Sequence, residues 1–464
     1  MSQLADLVIV ANRLPVSRVD GEERRSSWEI SPGGLVSALT PAMAEYDGVA
    51  WLGWAGSEVE SDLQPFDHGG LRLVPITLSE EERENHYEGM SNGTLWPLYH
   101  DKVEPAVFHR HWFNSYRKVN RRFAEAAAAV ANEGASVWIH DYQLHLVPGM
   151  LRELRPDLRI GFFLHIPFPP PELFLQIPWR NTLTNGLLGA DLVGFQSPAD
   201  AANFHRLALM LGAVDEIDPT TVSLDGRQIG IKAFPIGIDA QRFETKASEH
   251  TVTEAARDLR ARLGNPQFVL LGVDRLDYTK GIDVRLRAFK ELFEEERLHP
   301  SQIAMIQIAQ PSRDNVEAYV SLRERVERLV GEINGDYGRL GVPVIHYLHQ
   351  TRSFDELLAM YRAADVMLVT PFRDGMNLVA KEYVACRIED SGALVLSEFA
   401  GAAHQMHEAL LVNPYDIDGV KSAIMAAVEM SPDDARRRMV ALRENVRATD
   451  AIAWARDFLG ELTG

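Results

Sequence analysis

Apolar runs of strand length recur along the chain, and stretches of helical period separate the later ones. In the first half the runs are Leu7 to Ala11, Ala50 to Trp54, Leu71 to Ile76, Ser136 to His140 and Arg159 to His165. Helical spacing covers Val119 to Asn132 and Leu144 to Leu154. A second series has strands at Phe268 to Val273, Ile303 to Ala309, Val344 to Leu348, Val366 to Thr370 and Ala393 to Ser397. Its helices are predicted over Ile282 to Leu298 and Asn315 to Ile333. Such alternation predicts an α/β protein with mostly parallel sheets and helices on both faces. The Pro and Gly of Pro235-Ile236-Gly237-Ile238-Asp239 mark a linker, so two doubly wound domains facing a cleft are expected, 1–237 and 238–448. Residues 17–30 are polar and read as a loop, followed by Ser31-Pro32-Gly33-Gly34 opening a helix-like run.

Length supports the division, because 464 residues exceed what one core usually holds. A hydrophobic share of 46% with 24% charged residues suits a globular enzyme. The net charge of -19 argues against nucleic acid and acidic membranes as partners, so an anionic substrate would need a local basic cluster. Cys386 is the single cysteine, which rules out an intrachain disulfide and fits a reducing compartment. The run Leu4 to Val10 is broken by Asp6 and followed by Arg13, unlike a signal peptide, and no run approaches a membrane span. A cytoplasmic protein is the expectation.

The richest segment for chemistry is Thr370 to Tyr383, where Asp374 precedes the turn Gly375-Met376-Asn377 and a helix carries Glu382. It sits at the carboxyl end of a strand, where open α/β sheets bind ligands, and the helix's first N–H groups favour an anion such as a diphosphate. Ionised carboxylates accept hydrogen bonds from sugar hydroxyls, so the segment suits a sugar nucleotide; surface acids at a plain joint are the bland reading. Arg275 and Lys280, with Gly281 opening the next helix, stand at the end of another strand and could hold two phosphates. Arg313 after the Ile303–Ala309 strand is a second basic candidate, and Arg13 with Gly33-Gly34 repeats the logic near the N-terminus. His140, Asp141 and His165 lie at strand ends, although a satisfied core histidine is the commoner outcome. The spacing of His140, Asp141 and His145 matches no zinc pattern, so no metal is expected. Tyr87, Trp96 and Trp54 are either core or sugar-stacking rings. No Ser-His-Asp elbow, P-loop or dinucleotide glycine fingerprint occurs in a fitting context.

Ten ordered segments together carry a resemblance. They are Ala11-Asn12-Arg13, Gly33-Gly34-Leu35, Gly53 to Gly56, Tyr87 with Ser91 to Pro97, and Trp138 to Tyr142. Gly161 to Pro169, Phe234 to Ile238, Arg275 to Gly281, Gln307 to Arg313 and Arg373 to Glu382 follow. Over essentially its whole length the chain resembles the trehalose-6-phosphate synthases, retaining glycosyltransferases of family 20 with the GT-B fold. The resemblance implies glucose transfer from a nucleoside-diphosphate glucose to glucose 6-phosphate, giving α,α-trehalose 6-phosphate, with no cofactor. It implies that Arg275 and Lys280 clamp the donor diphosphate. Asp374 with Gly375, Met376, Asn377 and Leu378 would hold the donor glucose and phosphates, Glu382 the ribose, and Gly34 would approach the donor phosphates. His165 would meet the transferred glucose. Arg13, Tyr87 and Arg313 would grip the acceptor phosphate, with Trp96 and Asp141 on its sugar. A final helix within 449–464 would return to the first domain, and homo-oligomers are frequent among relatives.

The donor-side set is also expected in a relative that joins a nucleotide cyclitol to an aminocyclitol phosphate, whereas Tyr87, Trp96 and Asp141 stand here as in sugar-transferring members. A non-catalytic sugar-phosphate sensor would have lost Arg or acid positions, and none is lost. The donor base stays open between uridine, guanosine and adenosine, with His346 to Phe354 as the stretch that would meet it.

Overall fold

The computed structural model describes residues 4–19, 27–30, 36, 39–40, 43, 46, 48–56, 63–104, 106–313 and 317–464. It divides into two compact units, Met1–Ile236 with Ala451–Gly464, and Gly237–Asp450. Among the described residues no helix is long and apolar enough to cross a membrane.

The first unit is built on strands β1 (Ala5–Arg13), β2 (Val16–Val19), β3 (Ser27–Ile30), β4 (Val49–Trp54), β5 (Phe66–His68), β6 (Leu71–Ile76) and β7 (Ala131–His140). It continues with β8 (Arg159–Phe163), β9 (Leu192–Phe195), β10 (Asp215–Asp218), β11 (Thr221–Leu224) and β12 (Arg227–Ala233). Ten of these form one sheet in the order β10-β11-β12-β9-β8-β7-β1-β4-β6-β5. From β6 through β12 the pairs are parallel, and only β5, β10 and β11 join antiparallel at the edges. The order reverses between β1 and β7, so their carboxyl ends flank a switch point. β4 is buried throughout, which is why it reads as an unbroken apolar run.

The second unit has β13 (Phe268–Arg275), β14 (Ile303–Gln310), β15 (Ile345–Leu348), β16 (Val366–Val369), β17 (Ala393–Ser397) and β18 (Leu410–Val412). Its sheet is wholly parallel in the order β15-β14-β13-β16-β17-β18. That is a doubly wound arrangement whose switch point lies between β13 and β16. Ile282, Leu286 and Phe289 of the helix Ile282–Glu294 pack with Leu270, Met305 and Leu368 in its core.

Several elements differ from the sequence-based expectation. Of the stretch expected to be a loop, 17–19 and 27–30 lie in strands, because β2 and β3 pair antiparallel with Val16 opposite Ile30, and 20–26 lie outside the described residues. The helix expected at Val119 begins at Arg110 and ends at Val130, where β7 takes over. Residues Arg83–Leu95 form a wide π-type coil that no apolar period announces. The helix Ala451–Thr463 belongs to the first unit: Phe458 stacks on Trp138 with ring centroids 4.6 Å apart. It lies so close to Gly161 and Gly194 that a Cβ there would come within 2.7 and 2.6 Å of its ring.

Candidate active site

In the second unit the chain leaves β13 at Arg275, whose side chain is exposed, and turns through Tyr278–Lys280. Asp277 anchors the turn from beneath: it is fully buried and accepts from Thr279 N (2.9 Å) and Thr279 Oγ1 (2.8 Å). It also accepts from Tyr319 Oη (3.0 Å) and Arg313 Nη1 (3.3 Å). Burial pushes the Asp277 carboxyl up, but Arg313, Arg275 and Lys280 outweigh it and hold the group down at about 2. Three cations expected to bind phosphate are thus gathered around one buried carboxylate.

Gly281 ends this turn in the left-handed region at φ 61°, and a Cβ there would lie 2.2 Å from the Thr370 carbonyl oxygen. The loop after β16 therefore runs against the loop after β13, and Phe372 N donates to Thr279 O at 2.8 Å. Lys280 Nζ and Asp374 Oδ2 meet at 2.6 Å, and Asn377 Nδ2 donates to the same oxygen at 3.1 Å. Asn377 itself, at φ 78°, caps the helix Leu378–Cys386 by accepting from Ala380 N at 3.1 Å. The Gly375-Met376 backbone is held from behind by the turn Gly401–His404, through Gly401 N to Asp374 O (3.1 Å) and Ala402 N to Met376 O (2.8 Å). Glu382, one turn into the helix, accepts from Tyr361 Oη at 2.7 Å, and burial raises its carboxyl against that hydrogen bond. Arg275, Lys280, Asp374, Gly375, Met376, Asn377, Leu378 and Glu382 thus share one edge of one sheet.

In the first unit Arg13 closes β1, exposed, with its guanidinium 4.6 Å from the Trp54 ring centroid and 5.8 Å from that of Tyr87. Tyr87 rides on the π-type coil, and Trp96 follows at its end. Trp96 is only 3% exposed and packs between His100 and Tyr142, so it is not the open stacking face that was one reading of it. Across the switch point Asp141 follows β7 at φ 76°, ψ 168°, a conformation ordinarily left to glycine. Its Oδ1 accepts from His165 N at 3.2 Å, and His165 Nε2 lies 3.1 Å from His140 Nδ1. Burial holds His165 down at about 3 and His140 well below the usual range, so both rings are neutral near pH 7. Arg313 stands in the second unit, and Arg13 and Tyr87 in the first. Gly34 lies outside the described residues.

Sequence reasoning missed the residues beneath the loops. Arg285 is fully buried, yet it occupies the apolar stripe Ile282, Leu286, Phe289 of its helix, and an arginine at that spacing is the signal that could have found it. Lys381 is also buried, its ammonium pulled down to about 7 by burial, and it donates to Gln405 Oε1 at 2.7 Å. Neither has a local sequence signature beyond its place on an apolar face.

The sequence model of glycosyltransferase family 20 matches residues 5–464. A trehalose-6-phosphate synthase of Mycolicibacterium gilvum is 54% identical over 474 aligned residues, covering 99% of this chain and 94% of that protein. Among solved structures, the UDP-forming α,α-trehalose-phosphate synthase of Burkholderia xenovorans in complex with glucose 6-phosphate is similar at TM-score 0.90 and 34% identity. That match covers 99% of this chain and 100% of the other. An Escherichia coli structure with UDP-2-fluoroglucose bound matches at TM-score 0.90 and 35% identity, over 98% of each chain.

Proposed function

The chain belongs to glycosyltransferase family 20, and from that premise we propose that it is a trehalose-6-phosphate synthase moving glucose from UDP-glucose to glucose 6-phosphate. Uridine is the base we assign, because the Burkholderia xenovorans relative is UDP-forming and the Escherichia coli one holds a UDP-glucose analogue. The observation that carries the reading is the joining of Lys280 to Asp374 across the β13/β16 switch point, one cation for phosphate beside one acceptor for sugar hydroxyls.

Each group then has a task. Arg275 and Lys280 take the diphosphate, and Asp374 with the N–H groups from Gly375 to Leu378 takes the glucose and its phosphates. Glu382 accepts from the ribose hydroxyls, and Gly34 approaches the donor phosphates. Arg13, Tyr87 and Arg313 hold the acceptor phosphate, while Trp96 and Asp141 border its sugar. The bond from glucose C1 to the diphosphate oxygen breaks as the bond from C1 to the acceptor hydroxyl oxygen forms on the same face, so configuration is retained. The hydroxyl proton passes to the departing phosphate oxygen, which makes a separate base unnecessary. His165, neutral because it is buried, orients the transferred glucose rather than carrying charge. Catalysis is then positioning plus stabilisation of charge on the leaving diphosphate.

Turnover with UDP-, GDP- and ADP-glucose, each with glucose 6-phosphate, tests this. UDP-glucose should give the highest kcat/KM and a product whose two anomeric protons are both α by NMR. Arg275→Ala and Lys280→Ala should each cost roughly 10²–10³ in kcat, the scale of losing one preorganised donor. Binding of both substrates without product would make the protein a sensor and end the reading.

A further inference from the structure

Beneath the switch point lies a group that cannot reach substrate, because Arg285 is 0% exposed. Its four hydrogen bonds reach four pieces of the second unit. Nη1 donates to Asp274 Oδ2 on β13 at 2.7 Å, with Gln307 Oε1 of β14 at 3.5 Å. Nε donates to Thr370 Oγ1, directly after β16, at 3.0 Å. Nη2 donates to the Lys280 carbonyl at 2.9 Å. Thr370 Oγ1 in turn donates to Gly281 O at 3.3 Å. The planar fork therefore ties the backbone of Lys280 to the first residue of the loop that carries Asp374. Asp274 neutralises the charge, so what remains for Arg285 to supply is geometry.

We propose that Arg285 is a positioning residue that sets the separation of Lys280 and Asp374, and through it the fit of the donor diphosphate and glucose. This rests on the donor assignment made above. A core ion pair with no bearing on the site would need only its charge satisfied. A positioning residue needs its fork, because an ammonium cannot reach Asp274, Thr370 and the Lys280 carbonyl together.

Three variants separate these roles. Arg285→Lys keeps the charge opposite Asp274 but loses the fork. Thr370→Val removes one acceptor without changing shape much. Gly272→Ala leaves Arg285 intact but puts a Cβ 2.5 Å from its Nη1 and 2.5 Å from Gln307 Oε1, so the guanidinium must move. Each is measured for melting temperature, UDP affinity by calorimetry, and kcat per active site with KM for both substrates. We expect Arg285→Lys to melt within a few degrees of wild type yet lose at least tenfold in kcat. Gly272→Ala, which forces a shift of about 0.5 Å, should lose on the order of tenfold, with UDP affinity falling alongside and KM for glucose 6-phosphate within twofold. Thr370→Val should fall between wild type and Gly272→Ala. If all soluble variants keep kcat and UDP affinity within threefold of wild type, whatever their melting temperatures, the proposal is overturned. Should Arg285→Lys not fold, the other two decide. Wild-type protein that binds UDP but makes no product would count against the synthase reading, and UDP affinity across the variants would still report on Arg285.

Discussion

Gly401→Ala is the sharpest probe of how the donor loop is held. A Cβ at residue 401 would stand 1.9 Å from the Gly375 carbonyl oxygen and 3.2 Å from Met376 Cα, against a floor of about 3.0 Å for real Cβ contacts. Backbone must give way by about 1.1 Å, and both strands of the contact are backbone, so no side chain can swing aside. The hydrogen bonds Gly401 N to Asp374 O and Ala402 N to Met376 O are strained or lost, at roughly 1 kcal/mol each. Global stability should drop by about 2 kcal/mol, or roughly 4–8 °C in the melting temperature of a domain this size. The Gly375-Met376 N–H groups move with the backbone, and a misplacement near 1 Å costs on the order of 10²-fold in rate, about 2.7 kcal/mol. Steady-state release of UDP measured at varied UDP-glucose and varied glucose 6-phosphate separates the substrates. The expected result is a 10²-fold loss in kcat/KM for the donor with KM for glucose 6-phosphate nearly unchanged. A variant within threefold of wild type for the donor would refute the idea that this turn sets the donor loop.

Arg13→Ala should raise KM for glucose 6-phosphate roughly 10- to 10²-fold, since a charged hydrogen bond contributes about 1.5–3 kcal/mol, while donor KM stays within twofold. At the strained position, Asp141→Gly and Asp141→Ala should both lose turnover. By chemical denaturation the glycine variant should nonetheless be more stable than the alanine one by about 1–2 kcal/mol, because only glycine relaxes φ 76°. Burial raises the Glu382 carboxyl, and its ionised form accepts from the ribose hydroxyls more strongly than its protonated form. Donor KM should accordingly rise as pH falls through that raised value, sooner than for an ordinary glutamate, and Glu382→Gln should flatten the profile across a pH series.

The parallel sheets were legible because strands covered on both faces, such as Val366–Val369 and Ala393–Ser397, read as short apolar blocks. The places of Arg275, Lys280 and Asp374 were legible for a related reason: each lies at the end of such a block or in the loop that follows it, where a doubly wound sheet binds its ligand. The antiparallel pairing of Val16–Val19 with Ser27–Ile30 was not, since strands of four residues are too short for a period to stand out in a polar stretch. The π-type coil under Tyr87 was hidden as well, because its stability comes from tertiary packing such as Trp112 against Gly89. Arg285 and Asp277 escaped because their meaning lies in which distant backbone they touch, and that is written in the fold.

The return of the helix Ala451–Thr463 to the first unit bears on how the protein is made. Residues up to Ile236 leave the ribosome with the strip over Gly161, Gly194 and Trp138 uncovered, and the whole of Gly237–Asp450 is synthesised before Phe458 can fill it. Lys232 and its partner Glu461 are 229 positions apart, a closure of the slow, non-local kind. The unit that begins first during translation is therefore the one that finishes last, with an apolar strip awaiting its cover throughout.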